Sequence, residues 1–248
     1  MVVDYAPREN YHVPVACADC RFHDICGPES THAGGSFCLA KATRRSRTLQ
    51  KGESVYRSGM RFNGIYALKS GSAKLVHTDS RGREAIMAVL LPGELAGFDG
   101  LSSGNYRCSL VTLETSSCCD IPAEALQAIG DKMLPLRSLI LRRTGEQIEQ
   151  SIERIAQAQR TAEERLAGFL LDLGARYHAR GYSGEEFNLP LTRQEIGNHL
   201  GLALETVCRL LTRFESARLV EVDGKFVKIL SMDELRKLAG HLDPPSKR

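Results

Sequence analysis

Between residues 52 and 104, apolar residues come in short runs divided by glycines at 52, 59, 64, 71, 82, 93, 97, 100 and 104. Ile65-Tyr66-Ala67-Leu68, Ala73-Lys74-Leu75-Val76 and Ala85-Ile86-Met87-Ala88-Val89-Leu90 have strand length, and Ser-Gly, Arg-Gly and Pro-Gly pairs mark the turns. Two further strands fit residues 106–113 and 117–121. Short strands at this spacing predict a small all-β sandwich or barrel. After Pro135 the period becomes helical. Leu141, Ile148 and Ile155 recur every seven residues, with Ile152 four after Ile148, while Glu146, Glu149, Glu153 and Arg154 fall on other faces. A seam of this kind suits pairing with a second copy of the chain; the plainer alternative is that the stripe packs on its own domain.

The remaining pattern is that of a second folded unit with marked helix starts. Thr161 with Glu164 precedes Leu166, Phe169, Leu170 and Leu173; Thr192 with Glu195 precedes Ile196 and Leu200; Ser231 with Glu234 precedes Leu235 and Leu238. Each Ser/Thr-x-x-Glu spacing predicts a capping box. Residues 220–229 alternate on both sides of Asp223-Gly224, a hairpin signal. A helix at 192–200, a break at Gly201, a second helix from about 203 to 216 and the hairpin together describe a helix-turn-helix with a wing. Val207, Leu210, Leu211 and Phe214 form the buried stripe of the second helix, and Glu205, Cys208, Arg209 and Thr212 its other face. Arg matches guanine edges in the major groove, and Glu accepts from cytosine N4. The simpler reading, a helical hairpin with surface charges, leaves the cap, break and wing without a purpose.

Composition narrows the classes. The 248 residues are 42% hydrophobic, 25% charged and 6% aromatic, with no Trp, eight Cys and a net charge of +3. No apolar run approaches the ~18 to 20 residues of a spanning helix, and the N-terminus around Asp4, Arg8 and Glu9 lacks a signal-peptide core, so a soluble, cytoplasmic protein without membrane contact is expected. From residue 161 onward, 13 basic residues face 13 acidic ones. Bulk charge therefore says nothing about nucleic acid, and the pattern carries that reading. No Rossmann or P-loop fingerprint and no catalytic triad or carboxylate pair stands out, which speaks against an enzyme.

Residues 10–40 hold four of the cysteines in a polar stretch with no sustained periodicity, which needs something other than a core to order it. Taken singly, a Cys is most often a small buried hydrophobe. Cys17-Ala18-Asp19-Cys20-Arg21-Phe22-His23-Asp24-Ile25-Cys26, however, places three thiols within ten residues. In a reducing compartment such a cluster points to a metal or redox centre. Three thiolates with a distant fourth fit an iron–sulfur cluster, and three with His23, or four, fit zinc; spacing leaves the two open.

Leu191-Thr192-Arg193-Gln194-Glu195-Ile196-Gly197-Asn198-His199-Leu200-Gly201-Leu202, followed by Glu205-Thr206-Val207-Cys208-Arg209-Leu210-Leu211, resembles the helix-turn-helix of the CRP/FNR family of bacterial transcription regulators. Thr161-Ala162-Glu163-Glu164-Arg165-Leu166-Ala167 resembles that family's entry to the DNA-binding domain. The resemblance implies an α+β fold: a cysteine-rich segment (1–40), a β-roll sensor domain like those that bind cyclic nucleotides (41–132), a dimerisation helix (133–160) and a winged helix-turn-helix domain (161–248). It implies Glu205 and Arg209 as base readers, with Thr206, Cys208 and Arg213 beside them on DNA, and Leu141, Ile148, Ile152 and Ile155 in a homodimer interface. Cys208 stands where the FNR branch usually has Ser. Cys17, Cys20 and Cys26, with a fourth Cys in Leu113-Glu114-Thr115-Ser116-Ser117-Cys118-Cys119-Asp120-Ile121-Pro122, resemble the four ligands of an oxygen-labile 4Fe-4S cluster. The Cys-acid-Ile-Pro ending selects Cys119, with Cys118 the adjacent alternative. A regulator active as a homodimer at low oxygen, palindromic double-stranded DNA of the TTGAT-spacer-ATCAA type, and RNA polymerase contact through loops such as Asp79–Arg83 follow as expectations. The rival reading is the cyclic-nucleotide branch, in which a Gly-Glu turn and an Arg-Ser pair hold the phosphate; here Gly93-Glu94 and Arg107-Cys108-Ser109 are the corresponding residues. A zinc-stabilised regulator of the same fold is the other alternative.

Overall fold

A computed structural model of the chain describes residues 44–127 and 159–240, together with helical positions at 138, 141, 142, 144–146, 148, 149 and 152. Cys17, Cys20, Cys26 and Ile155 lie outside the described residues. The chain divides into two compact units between Arg143 and Thr144.

Among the described residues of the first unit, eight strands form two antiparallel four-stranded sheets. One has the order β1 (Arg44–Leu49), β8 (Ser116–Pro122), β3 (Gly64–Ser70), β6 (Leu95–Ala96); the other runs β2 (Ser54–Tyr56), β7 (Ser109–Thr112), β4 (Ala73–Thr78), β5 (Glu84–Leu90). A short helix α1 (Ala123–Gln127) follows β8. Residues of both sheets meet in one core: Leu49, Tyr66, Leu68, Ala96 and Cys118 from the first, Val55, Tyr56, Ala73, Leu90 and Leu110 from the second, with Tyr106. Burying each large side chain contributes ~1.5 to 3 kcal/mol. β2 and β6 escape the periodicity reading because they are three and two residues long, and β1 because its sequence, Arg-Arg-Ser-Arg-Thr-Leu, has no apolar alternation.

The second unit contains α2 (Ala162–His178), β9 (Glu186–Asn188), α3 (Arg193–Leu200), α4 (Leu204–Ser216), the hairpin β10 (Val220–Asp223) and β11 (Phe226–Ile229), and α5 (Met232–Leu238). Leu166, Phe169, Leu170 and Leu173 of α2 are buried, as are Ile196 and Leu200 of α3 and Val207, Leu210, Leu211 and Phe214 of α4. β9 joins β11 as the third strand of the wing sheet, pairing Phe187 with Val227. Its three residues carry no period, so the sequence gives no strand signal there.

Two of the three expected capping boxes form. Thr161 and Thr192 accept from the backbone N–H of Glu164 and Glu195, whose carboxylates accept from the backbone of the caps in return. The third does not: Ser231 at the start of α5 makes no side-chain cap bond. Ser231 sits at φ −140 and ψ 95, and the Glu234 carboxylate is occupied by Lys237 at 3.3 Å.

Candidate functional site

The helix-turn-helix is fixed by its turn. Gly201 closes α3 in the left-handed conformation at φ +65, where a Cβ is strained. The Leu202 N–H donates to the Gly197 carbonyl at 2.7 Å. A Cβ on Gly197 would stand 2.6 Å from the Leu202 carbonyl oxygen, so the turn closes only over a bare backbone. α4 then presents Glu205, Arg209 and Thr212 exposed, while Thr206 and Cys208 are half-buried at the margins of that face. Glu205 and Arg209, four residues apart, lie one above the other. Arg213 is exposed but pairs with Glu163 of α2 at 3.0 Å. The wing is tied to α4 by the Val222 N–H, which donates to Glu215 Oε1 at 3.1 Å.

Sequence reasoning missed one residue of this assembly. Arg165 of α2 donates from Nη1 to the Leu200 carbonyl at 2.7 Å, capping α3 across 35 residues. Nothing in local spacing reports a partner so far along the chain.

β8 separates the two adjacent thiols. Cys118 is fully buried in the β-roll core, and Cys119, on the opposite face of the strand, is half-buried. β1 pairs antiparallel with β8, bringing Arg44 opposite Asp120 and Arg47 opposite Cys118, with a bulge between them. β1 therefore begins opposite Asp120, the residue next to Cys119. Among the described residues no group of three or more His, Cys, Asp or Glu converges on a metal position; of the four expected ligands, Cys119 alone is described. A half-buried thiol on the outer face fits a ligand that reaches a cluster outside the barrel, whereas the Cys118 sulfur is enclosed by apolar side chains. Cys108 is buried as well.

Several backbone and carboxylate groups of the cyclic-nucleotide alternative are otherwise engaged, while Arg107 is exposed. Backbone N–H groups of Arg107 and Cys108 both donate to Asp99 Oδ2 at 2.9 Å. Asp99 Oδ1 also accepts from the Tyr56 hydroxyl at 3.4 Å. Burial, with the Asp99 carboxylate beside it, pushes the Tyr56 hydroxyl far above the usual phenol range. Tyr56 stacks on Tyr106 and Tyr66 with ring centroids 4.1 and 5.2 Å apart. The Glu94 carboxylate accepts from the Leu91 N–H at 3.1 Å within its own turn. A protein carboxylate thus holds the amides that an incoming anion would use.

Two other expected surfaces are visible. The loop after β4 is organised by Asp79, whose carboxylate accepts from the Arg81 and Arg83 N–H groups and from the Arg83 guanidinium at 2.7 Å. These bonds, Arg83's first, hold the Asp79 carboxyl below the usual range. In the connecting helical run, Leu141, Ile148 and Ile152 are 65%, 56% and 62% exposed. Among the described residues no helix is long and apolar enough to cross a membrane.

Residues 46–132 match the cyclic nucleotide-binding domain family and residues 164–238 the Crp-like helix-turn-helix domain family. The transcriptional activator protein anr of Pseudomonas aeruginosa is 39% identical over 90% of this chain and 92% of its own length. The fumarate and nitrate reduction regulatory protein of Escherichia coli is 36% identical over 92% of this chain and 91% of its own. Among solved structures, FixK2 from Bradyrhizobium japonicum superposes with a TM-score of 0.73 at 23% identity, covering 80% of this chain and 98% of that one, a likeness of fold. With its β-roll and winged helix-turn-helix in the expected order, the chain belongs to the CRP/FNR family of transcription regulators, among relatives of the Anr and fumarate and nitrate reduction type.

Proposed function

We propose that this regulator senses oxygen through a 4Fe-4S cluster held by Cys17, Cys20, Cys26 and Cys119, and binds palindromic DNA as a homodimer when oxygen is low. The observation that carries the reading is the placement of Cys119, half-buried on the outer face of β8 next to Asp120, opposite which β1 begins. Four thiolates are the donor set such clusters use. When bound, the cluster supplies the oxygen-labile chemistry implied by the family resemblance. Zinc on the same thiolates is the competing occupant.

The chain's own residues do the rest. With all four thiols engaged, residues 17–26 are tied to β8; loss of the cluster removes that tie. That tie favours one of two states, and the favoured one is the associated dimer. Leu141, Ile148, Ile152 and Ile155 form its seam, which hides the apolar surface that Leu141, Ile148 and Ile152 expose in the single chain. Dimerisation sets two α4 helices about one helical turn apart for two TTGAT-type half-sites. Glu205 and Arg209 read base edges, and Thr206 and Cys208 line the margins of that face. Arg213 reaches the phosphate backbone on releasing Glu163. The Asp79–Arg83 loop, held rigid by its own carboxylate, is the surface offered to RNA polymerase.

The test is protein purified without oxygen. Iron and sulfide at about four each per chain, with a brown absorbance that bleaches in air, support the reading; one zinc per colourless chain, or tight binding of cyclic AMP, overturns it. Replacing Arg209 with Ala should cost ~1 to 3 kcal/mol on the palindrome and relax selectivity at one base pair of each half-site. Full affinity and selectivity in that variant would remove the base-reading role.

A further inference from the structure

We infer that Arg165 is a positioning residue for DNA reading: by capping the C-terminal end of α3 it sets the angle at which α4 is presented. The inference rests on the proposal that α4 reads base edges.

The last carbonyls of a helix have no intrahelical donor, and a cationic group there both satisfies them and opposes the negative end of the helix. Arg165 Nη1 does this for the Leu200 carbonyl, at 2.7 Å, from a helix that is not part of the helix-turn-helix. Leu200 is the last residue of α3, and Gly201 and the two residues after it are the whole connection to α4. A Cβ on Gly201 would stand 3.5 Å from Arg165 Nη1, so the guanidinium lies directly against the left-handed turn. Arg165 Nε is buried with no hydrogen-bond partner among the described residues, so the guanidinium is turned into the protein and Nη1 makes its bond to Leu200. Two residues earlier on α2, Glu163 pairs with Arg213 of α4 at 3.0 Å. The first turn of α2 therefore holds both helices of the motif, α3 by its terminal carbonyl and α4 by a side chain. The Glu163 pair is open to solvent on its Arg213 side and weak. The Arg165 bond is partly buried and charge-assisted, and carries more of the constraint.

A shift of a base-reading side chain by an ångström weakens its bidentate hydrogen bonds but leaves phosphate contacts largely intact. Loss of positioning is thus read as loss of discrimination between sequences, not as a uniform loss of affinity.

The experiment compares full-length wild type, Arg165→Met and Arg165→Lys, purified without oxygen. Dissociation constants are measured on the palindrome, on single-base variants of it and on a scrambled duplex, each across a salt series, alongside thermal melting. For Arg165→Met the preference for the palindrome over single-base variants should fall roughly tenfold with an unchanged salt slope, the size of one lost base contact. Arg165→Lys, which keeps a cationic donor, should recover part of it and serves as the folded variant if Arg165→Met does not fold. Unchanged discrimination in both variants, with only a lower melting temperature, would overturn the positioning role. Equal loss on every sequence, with the salt slope smaller by about one per protomer, would overturn it in favour of a phosphate contact. If the wild type itself does not prefer the palindrome to the scrambled duplex, the base-reading proposal falls instead; wild-type preference combined with either overturning result leaves that proposal standing.

Discussion

Cys118 and Cys119 are neighbours in the chain and opposites in environment: one sulfur is sealed in the β-roll core, the other half-buried on the outer face of the same strand. Strand geometry imposes this, since consecutive side chains point to opposite faces. Cys119→Ser should abolish iron incorporation while leaving the barrel's melting temperature near wild type. Cys118→Ser should keep its iron and lose ~1 to 3 kcal/mol, because a hydroxyl replaces a thiol in an apolar site. Iron analysis and melting curves on the two variants check both halves, and the reverse pattern would move the ligand to Cys118.

Asp99 predicts a second outcome. Its carboxylate holds the amides of Arg107 and Cys108 in place. Asp99→Ala strands two backbone donors and should destabilise the β-roll by ~1 to 3 kcal/mol, read from a shifted denaturant midpoint at constant slope. In calorimetric titration the wild type should give no heat with cyclic AMP.

Arg218 follows α4 with φ +56, among the described residues the one non-glycine in that region. Left-handed backbone costs an L-residue ~1 to 2 kcal/mol, part of which glycine returns as chain entropy. Arg218→Gly should therefore raise stability by up to ~1 kcal/mol. A lower melting temperature would mean that the arginine side chain contributes more than its backbone costs.

The exposed row on the connecting helix gives a fourth expectation. Ile148→Glu combined with Ile152→Glu places like charges where two copies would meet, and should shift the anaerobic protein to monomer in sedimentation while the helix-turn-helix unit melts unchanged. A variant that remained dimeric would put the seam elsewhere.

Much of the fold was legible because burial leaves a period. Val207, Leu210, Leu211 and Phe214 recur at helical spacing and are all buried. The hairpin at Asp223-Gly224 and the caps at Thr161 and Thr192 are local, and local chemistry is written locally. What the sequence hid are relationships across distance. Arg165 on Leu200, Asp99 on the amides of residues 107 and 108, and the pairing of β1 with β8 join segments 35, 8 to 9 and about 70 residues apart. At Ser231 the motif was present but its serine and glutamate were not brought together. The preference for Cys119 came from resemblance; the side-to-side alternation of β8 now supplies a physical reason for it.

The antiparallel entry of β1 beside Cys119 makes the sensor modular. Whatever precedes residue 44 joins the barrel where β1 begins opposite Asp120, a point fixed by backbone bonds to β8. The 17 residues between Cys26 and Arg44 would reach tens of ångströms if fully extended. On the proposed ligand set, a different detector would call for changes in the upstream segment and at one outward-facing strand position, with the barrel interior and the helix-turn-helix left alone.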